Sequence, residues 1–130
     1  DALTATKALC VSDPLLVHSP GALPYLAAPA LIEGLAQGGG LLLRLRWLAG
    51  VGVDVLAFAN GEKLAGCAIP RSALADSHMR FTALARPGDR VQLSVRLVLS
   101  RGDMHRFSAA AQSETPLAAG EITLRFPQAE

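Results

Sequence analysis

Polar and apolar residues alternate most clearly in the second half of the chain. In RVQLSVRLVLS the apolar residues fall at Val91, Leu93, Val95, Leu97 and Leu99, with Gln92, Ser94 and Arg96 between them. A period of two means a strand with one face buried. SRGD at 100–103 is turn chemistry, because glycine adopts positive φ freely and aspartate can close an Asx-turn. HRFSAAAQ resumes the alternation, with Phe107, Ala109 and Ala111 on one face. SETP turns the chain again. GEITLRF then puts Ile122, Leu124 and Phe126 inward and Glu121, Thr123 and Arg125 outward. Three consecutive strands joined by short turns predict an antiparallel meander, entered through the turn RPGD at 86–89.

The first half is less regular. ALTATKALCV predicts a strand. VDVLAFA at 53–59 predicts another, ended by the hairpin signal Asn60-Gly61, with KLAGCAI pairing back. Residues 70–79 read as a loop or a short helical turn. Between the first two strands the composition predicts one helix, from about Pro29 to Trp47. Pro29 suits a first helical turn, and the run is too long for a strand. It is apolar nearly all round until Arg44, which predicts a helix buried on most sides. It also carries Gly34, Gly38, Gly39 and Gly40. Each costs roughly 1 kcal/mol against alanine in a helix interior, so the missing side chains must admit another backbone or a ligand. One such helix with five or six antiparallel strands is an α+β plan, with the sheet wrapped around one long central helix.

Bulk properties narrow the function classes. The chain has 130 residues, enough for one core and one domain spanning 1–130. It is 51% hydrophobic and 18% charged, which is globular rather than disordered. The net charge is +1 and the twelve basic residues are scattered, so nothing marks a nucleic-acid partner or an anionic membrane surface. The apolar runs fall short of the roughly 18 residues of a spanning helix, and no signal peptide opens the chain. Cys10 and Cys67 stand alone, which predicts two buried free thiols rather than a disulfide or a metal site. No zinc signature, phosphate loop or GxSxG elbow is present. These features fit a cytoplasmic protein.

Two residues carry candidate chemistry. Glu33 lies between Ile32 and Leu35 in the apolar helix, and Gln37 follows one turn later on the same face. An ionised carboxylate in apolar surroundings costs several kcal/mol unless it is paired, and a raised pKa that relieves this makes a general acid or base. The alternative is that Glu33 reaches water at a helix end or an interface. His18, in LLVHSPG, lies in a Pro/Gly-constrained loop ahead of the helix, where its imidazole could serve as a base. The alternative is an ordinary surface histidine. His78 and His105 have no acidic or cysteine partner at ligand spacing and read as solvated or structural. The RGD at 101–103 reads as part of a turn.

The segment DPLLVHSPGALPYLAAPALIEGLAQGGG, residues 13–40, resembles the active-site segment of the hot-dog-fold β-hydroxyacyl-acyl-carrier-protein dehydratases of fatty-acid synthesis. That family has an acid-Pro-hydrophobic step, a His-Phe-Pro-Gly loop, a Pro-Gly helix entry and a helix reading Glu-x-x-Ala-Gln-x-Gly-Gly. The counterparts here are Asp13-Pro14, His18-Ser19-Pro20-Gly21, and Glu33-Gly34-Leu35-Ala36-Gln37 with Gly39 following. RFTALARPGDRVQLSVRLVLSRGDMHRFSAAAQ and GEITLRF resemble the family's later strands. The departures are Ser19 in place of the aromatic and Ala27-Ala28 in place of Pro-Gly. An ungapped match sets Ser19 at the histidine position, and a one-residue gap restores His18. Residues 60–78 do not follow the family.

The resemblance implies a hot-dog fold and a dehydratase of 3-hydroxyacyl thioesters linked to acyl carrier protein or coenzyme A, in fatty-acid or related lipid or polyketide synthesis. It implies His18 and Glu33 as catalytic residues. The glutamate would face the partner subunit's His18 across a homodimer or higher homo-oligomer. It implies Gln37, Ala28 and Gly39 as substrate-binding residues, with main-chain N–H groups at the helix N-terminus polarising the thioester carbonyl. No cofactor is needed. Two other readings stand beside it. One is a thioesterase in which Glu33 activates water. The other is a non-catalytic hot-dog subunit that binds acyl chains or completes a heterodimer.

Overall fold

The computed structural model describes residues 1–10, 12–52, 54 and 69–127. In chain order the elements are β1 (Ala2–Ala8), β2 (Leu16–Val17), β3 (Tyr25–Leu26), α1 (Ala28–Gly50), β4 (Ala73–Phe81), β5 (Arg90–Arg101), β6 (Met104–Gln112) and β7 (Pro116–Arg125). Among the described residues five strands form one antiparallel sheet in the order β1-β5-β6-β7-β4, and β2 pairs with β3 as a small ribbon. The α+β plan with one long helix against an antiparallel sheet is therefore as expected, and β5-β6-β7 is the anticipated meander. The predicted strand at 53–59, its Asn60-Gly61 turn, and the returning strand with Cys67 lie outside the described residues, save Asp54 and Ile69.

The alternation read from the sequence sets the inner face of the sheet. Along β6, His105, Phe107, Ala109 and Ala111 are buried and their neighbours are exposed. Ile122, Leu124 and Phe126 are buried from β7 onward, as expected. β5 departs once. Its register shifts between Leu97 and Leu99, so Leu99 turns outward at 48% exposure where strict alternation put it inside. A bulge adds one residue to one strand and flips every side chain after it.

Residues 73–81 form a strand, not the expected loop or helical turn. Among the described residues β4 is the last strand of the sheet, paired with β7, and most of its residues are exposed. Along it only Ser77 and Met79 are partly buried, Met79 against the core, which is too little cover for a clear period-two signal. Cys10 is exposed rather than buried, because β1 ends at Ala8 and the chain turns away from the sheet there.

α1 begins after extended Ala27, with proline in its first turn and no side chain capping it. Its support is packing, not termini. Leu31, Leu35, Ala36, Gly39, Leu42 and Leu43 face the sheet. The main core joins Leu35, Leu42 and Leu43 to Val95, Phe107, Ile122 and Leu124. A second cluster at the helix N-terminal end joins Leu31 to Leu9, Leu16, Leu26, Val91 and Leu117. The helix is not buried on most sides. Glu33, Gln37 and Leu41 form an open stripe, because the sheet covers only one side.

The helix glycines serve the sheet contact. A Cβ on Gly39 would lie 2.9 Å from Leu124 Cδ1 and 3.4 Å from Phe107 Cε2, and one on Gly34 would lie 3.0 Å from Leu93 Cδ1. Both glycines lie close against side chains of the sheet. No helix among the described residues is long and apolar enough to cross a membrane.

Candidate functional site

Two loops hold the chain that enters α1. After β1, Asp13 accepts the Leu15 N–H at 3.0 Å through its own carboxylate, an Asx-turn, and pairs with Lys7 Nζ at 3.0 Å. The Leu15 N–H first, then Lys7, hold the Asp13 carboxyl below the usual carboxylate range. The RPGD turn at 86–89 closes from the other side. Asp89 Oδ2 accepts the Arg86 N–H at 2.9 Å, Gly88 takes φ +94°, and Gly88 N–H donates to Leu9 O at 2.9 Å. Leu26 N–H donates to Ala85 O at 2.8 Å, and Arg86 Nη1 donates to Leu23 O at 3.3 Å. Asp13-Pro14 and RPGD, both singled out by sequence, thus fix the residues before the helix.

Glu33 stands on the open stripe. Gln37 Nε2 donates to its Oε1 at 3.2 Å, the one-turn pairing expected at this spacing. The carboxylate is exposed in the single chain, so the sequence expectation of a carboxylate enclosed in apolar surroundings does not hold within one copy. The surroundings are apolar on one side only. Glu33, Gly34 and Gln37 border a cavity of about 170 Å³ walled by Leu15, Leu26, Leu31, Val91 and Leu93, with Lys7 at its rim. On the other side Glu33 and Gln37 border a second cavity of about 460 Å³, which runs along the helix to Arg44 and reaches Ser72 and Leu74. Glu33 and Gln37 therefore divide an apolar space from a more polar one.

The other expected site residues are distributed differently. His18 is exposed, just after β2, and lines neither cavity. Among the described residues no hydrogen bond or ion pair joins it to Glu33. Ala28 opens α1. Pro29 has no N–H, and the N–H groups of Ala30 and Leu31 both return to Ala27 O, at 3.0 and 3.3 Å. The Ala28 N–H is the first-turn donor left over among the described residues, but Ala28 does not line either cavity. Gly39 is buried against Leu124 and Phe107, on the face turned away from Glu33. His78 is exposed on β4. His105 is buried, and its ring bridges Ser100 Oγ at 2.8 Å and Phe126 O at 3.0 Å, a structural clamp between the hairpin and the last strand. No cluster of three or more metal-ligating side chains occurs among the described residues.

Sequence reading missed Lys7, Arg44 and Ser72. Arg44 was legible: Glu33, Gln37, Gly40 and Arg44 follow the i, i+4, i+7, i+11 spacing of one helix face. Lys7 and Ser72 reach the site only through tertiary packing.

No family model matches the chain, and no curated protein matches it in sequence. Solved structures do resemble it. A hot-dog-like protein from Thermanaerovibrio acidaminovorans superposes with TM-score 0.68 at 18% identity, over 97% of this chain and 80% of that one. The fluoroacetyl-CoA thioesterase FlK gives TM-score 0.68 at 12% identity, over 97% and 84%. A chain of the dehydratase heterocomplex ApeI:P from Xenorhabdus doucetiae gives TM-score 0.62 at 16% identity, over 98% and 76%. At these identities the likeness concerns architecture, and thioesterases stand among the neighbours beside a dehydratase. The α+β arrangement of one long helix against a five-stranded antiparallel sheet is the hot-dog fold.

Proposed function

We propose that the chain dehydrates 3-hydroxyacyl thioesters carried by acyl carrier protein or coenzyme A, with Glu33 as acid and His18 of a second copy as base. The observation that carries this reading is the Glu33 carboxylate, held by Gln37 at the mouth of an apolar, acyl-sized cavity. Its support from sequence is the order Asp13-Pro14, His18, Glu33, Gln37. The open stripe on α1 leaves room for a second copy to bring its own His18 to the cavity.

In the reaction His18 takes the Cα proton, and that electron pair forms the Cα–Cβ double bond. The Cβ–O bond breaks, and protonated Glu33 gives its proton to the leaving oxygen, which departs as water. Solvent exchange then returns His18 to neutral and Glu33 to its protonated form. The rate therefore follows a bell in pH, since the two groups must carry opposite protonation states. The Ala28 N–H is the main-chain donor suited to polarise the thioester carbonyl.

Hydrolysis is the second reading. It needs one carboxylate to activate water, and Glu33 is the acidic residue bordering the apolar cavity among the described residues. Purified protein with 3-hydroxybutyryl and crotonyl thioesters separates the readings. Ultraviolet absorbance of the conjugated enoyl thioester reports dehydration or its reverse, and free thiol reports hydrolysis. Neither signal would favour an acyl-binding subunit without turnover.

A further inference from the structure

The larger cavity beyond Glu33 is lined by a cation, Arg44, that forms no ion pair among the described residues. Arg44 is half-buried and lines this cavity, and its Nε is closed off from solvent without a hydrogen-bond partner among the described residues. Ion pairs between described residues go elsewhere: Lys7–Asp13, Arg46–Asp1, Arg106–Glu121 and Arg125–Asp103. A buried donor of a charged group costs more when left unmade than a neutral one, so an acceptor at this point is strongly favoured. The walls suit one. Leu41 and Leu74 border the cavity, and Ser72 and Gln37 supply neutral hydrogen-bonding groups along its length. A side chain at Gly40 would collide with the Ser72 hydroxyl, so the glycine lets Ser72 lie against the helix at the cavity wall.

We infer that Arg44 anchors the terminal oxyanion group of an extended ligand whose reacting end lies at Glu33. The spacing sets the ligand's length. Eleven residues of helix separate Glu33 from Arg44, roughly 16 Å at 1.5 Å per residue. An extended chain gains about 1.2 Å per bond, so about thirteen bonds cover that span. Two kinds of substrate place an anion at such a distance. One is a thiol arm of the phosphopantetheine type, with a phosphate at its far end. The other is a long acyl chain with a terminal carboxylate. Repulsion from Glu33 does not oppose either, because the separation is about twice the Debye length of roughly 8 Å at physiological salt. The inference takes the position of the reacting end from the thioester reading above. The anion site itself stands on Arg44 and its cavity.

Calorimetric titration tests it without requiring turnover. The probes are phosphopantetheine against pantetheine, and monomethyl dodecanedioate against its dimethyl ester, on the parent chain, Arg44→Gln and Arg44→Lys. Circular dichroism confirms that each variant is folded. The parent should bind at least one anionic probe more tightly than its partner lacking that charge. Arg44→Gln should weaken that probe on the order of ten- to a hundredfold and leave its counterpart unchanged, and Arg44→Lys should keep part of the affinity. An effect confined to phosphopantetheine assigns the phosphate, and one confined to monomethyl dodecanedioate assigns the carboxylate. If the parent fails to distinguish charged from uncharged probes, or Arg44→Gln weakens both members of a pair equally, the anion site is refuted. Arg44-dependent binding without dehydration would retain the site and discard the reaction. Dehydration whose KM for a coenzyme A substrate ignores Arg44→Gln, with no Arg44-dependent binding, would do the reverse.

Discussion

Gly38 and Gly39 are neighbours in α1, and replacing each by alanine should move stability in opposite directions. Both gain helix propensity, at most about 1 kcal/mol. They differ in what the new methyl group meets. At Gly38 it would lie 3.5 Å from Leu3 Cδ2 and 3.7 Å from Val95 Cγ2, ordinary contact distances. At Gly39 it would lie 2.9 Å from Leu124 Cδ1, with two Phe107 ring atoms at 3.4 and 3.5 Å. Leu124 is 1% and Phe107 0% exposed, so neither has free space to retreat into. Overpacking a tight core costs about 1–3 kcal/mol, which outweighs the propensity gain. Gly38→Ala should therefore stabilise by about 0.5–1 kcal/mol. Gly39→Ala should destabilise by about 1–2 kcal/mol. Urea unfolding at fixed protein concentration reads both, with a Tm shift of about 3–5 °C per kcal/mol expected in parallel scans. Equal shifts of the same sign, or a more stable Gly39→Ala, would refute the claim that Gly39 exists for the helix–sheet contact and would return it to the ligand.

Other outcomes follow from single groups. Glu33→Gln keeps the size of the side chain and removes the transferable proton, so thioester turnover should fall about 10²-fold or more with unchanged unfolding. Activity within threefold of the parent, on the order of the scatter between preparations, would remove Glu33 from the mechanism. The lowered Asp13 pKa means that its contribution is present above the unfolded value of about 3.9 and disappears as pH falls through the folded value. The stability gap between the parent and Asp13→Asn should hold near neutral pH and close in acid. A gap that persists in strong acid would contradict the Leu15 and Lys7 contacts. His105→Leu strands the buried Phe126 carbonyl and should cost about 1–3 kcal/mol by chemical denaturation. An unchanged midpoint would show that the clamp contributes nothing.

The strands β5, β6 and β7 were legible because one face of each is buried and alternation follows. β4 was not, because only Ser77 and Met79 are partly covered along it and its other positions are free to be polar or apolar. The bulge at Val98 was invisible for a related reason: it changes facing, not composition. α1 was found by composition, but its exposure was misjudged, since an apolar helix face can await a second copy as readily as lie in a core. Glu33 and Gln37 were legible as a one-turn pair. Arg44 lay on the same face by spacing alone, and its significance needed Ser72 and Leu74 from another element. Gly39 kept its place in the motif while its methyl-free surface serves the sheet.

The claim that Glu33 works with His18 of a second copy can be tested by mixing two inactive variants. His18→Ala and Glu33→Gln chains, co-refolded in equal amounts, form mixed dimers in which one of the two sites has both groups intact. Statistical mixing makes half the dimers mixed, so about a quarter of the parent's dehydration rate should return, read as enoyl-thioester absorbance. A mixture that stays as inactive as either variant alone, beside an active parent, would contradict a site built from two copies.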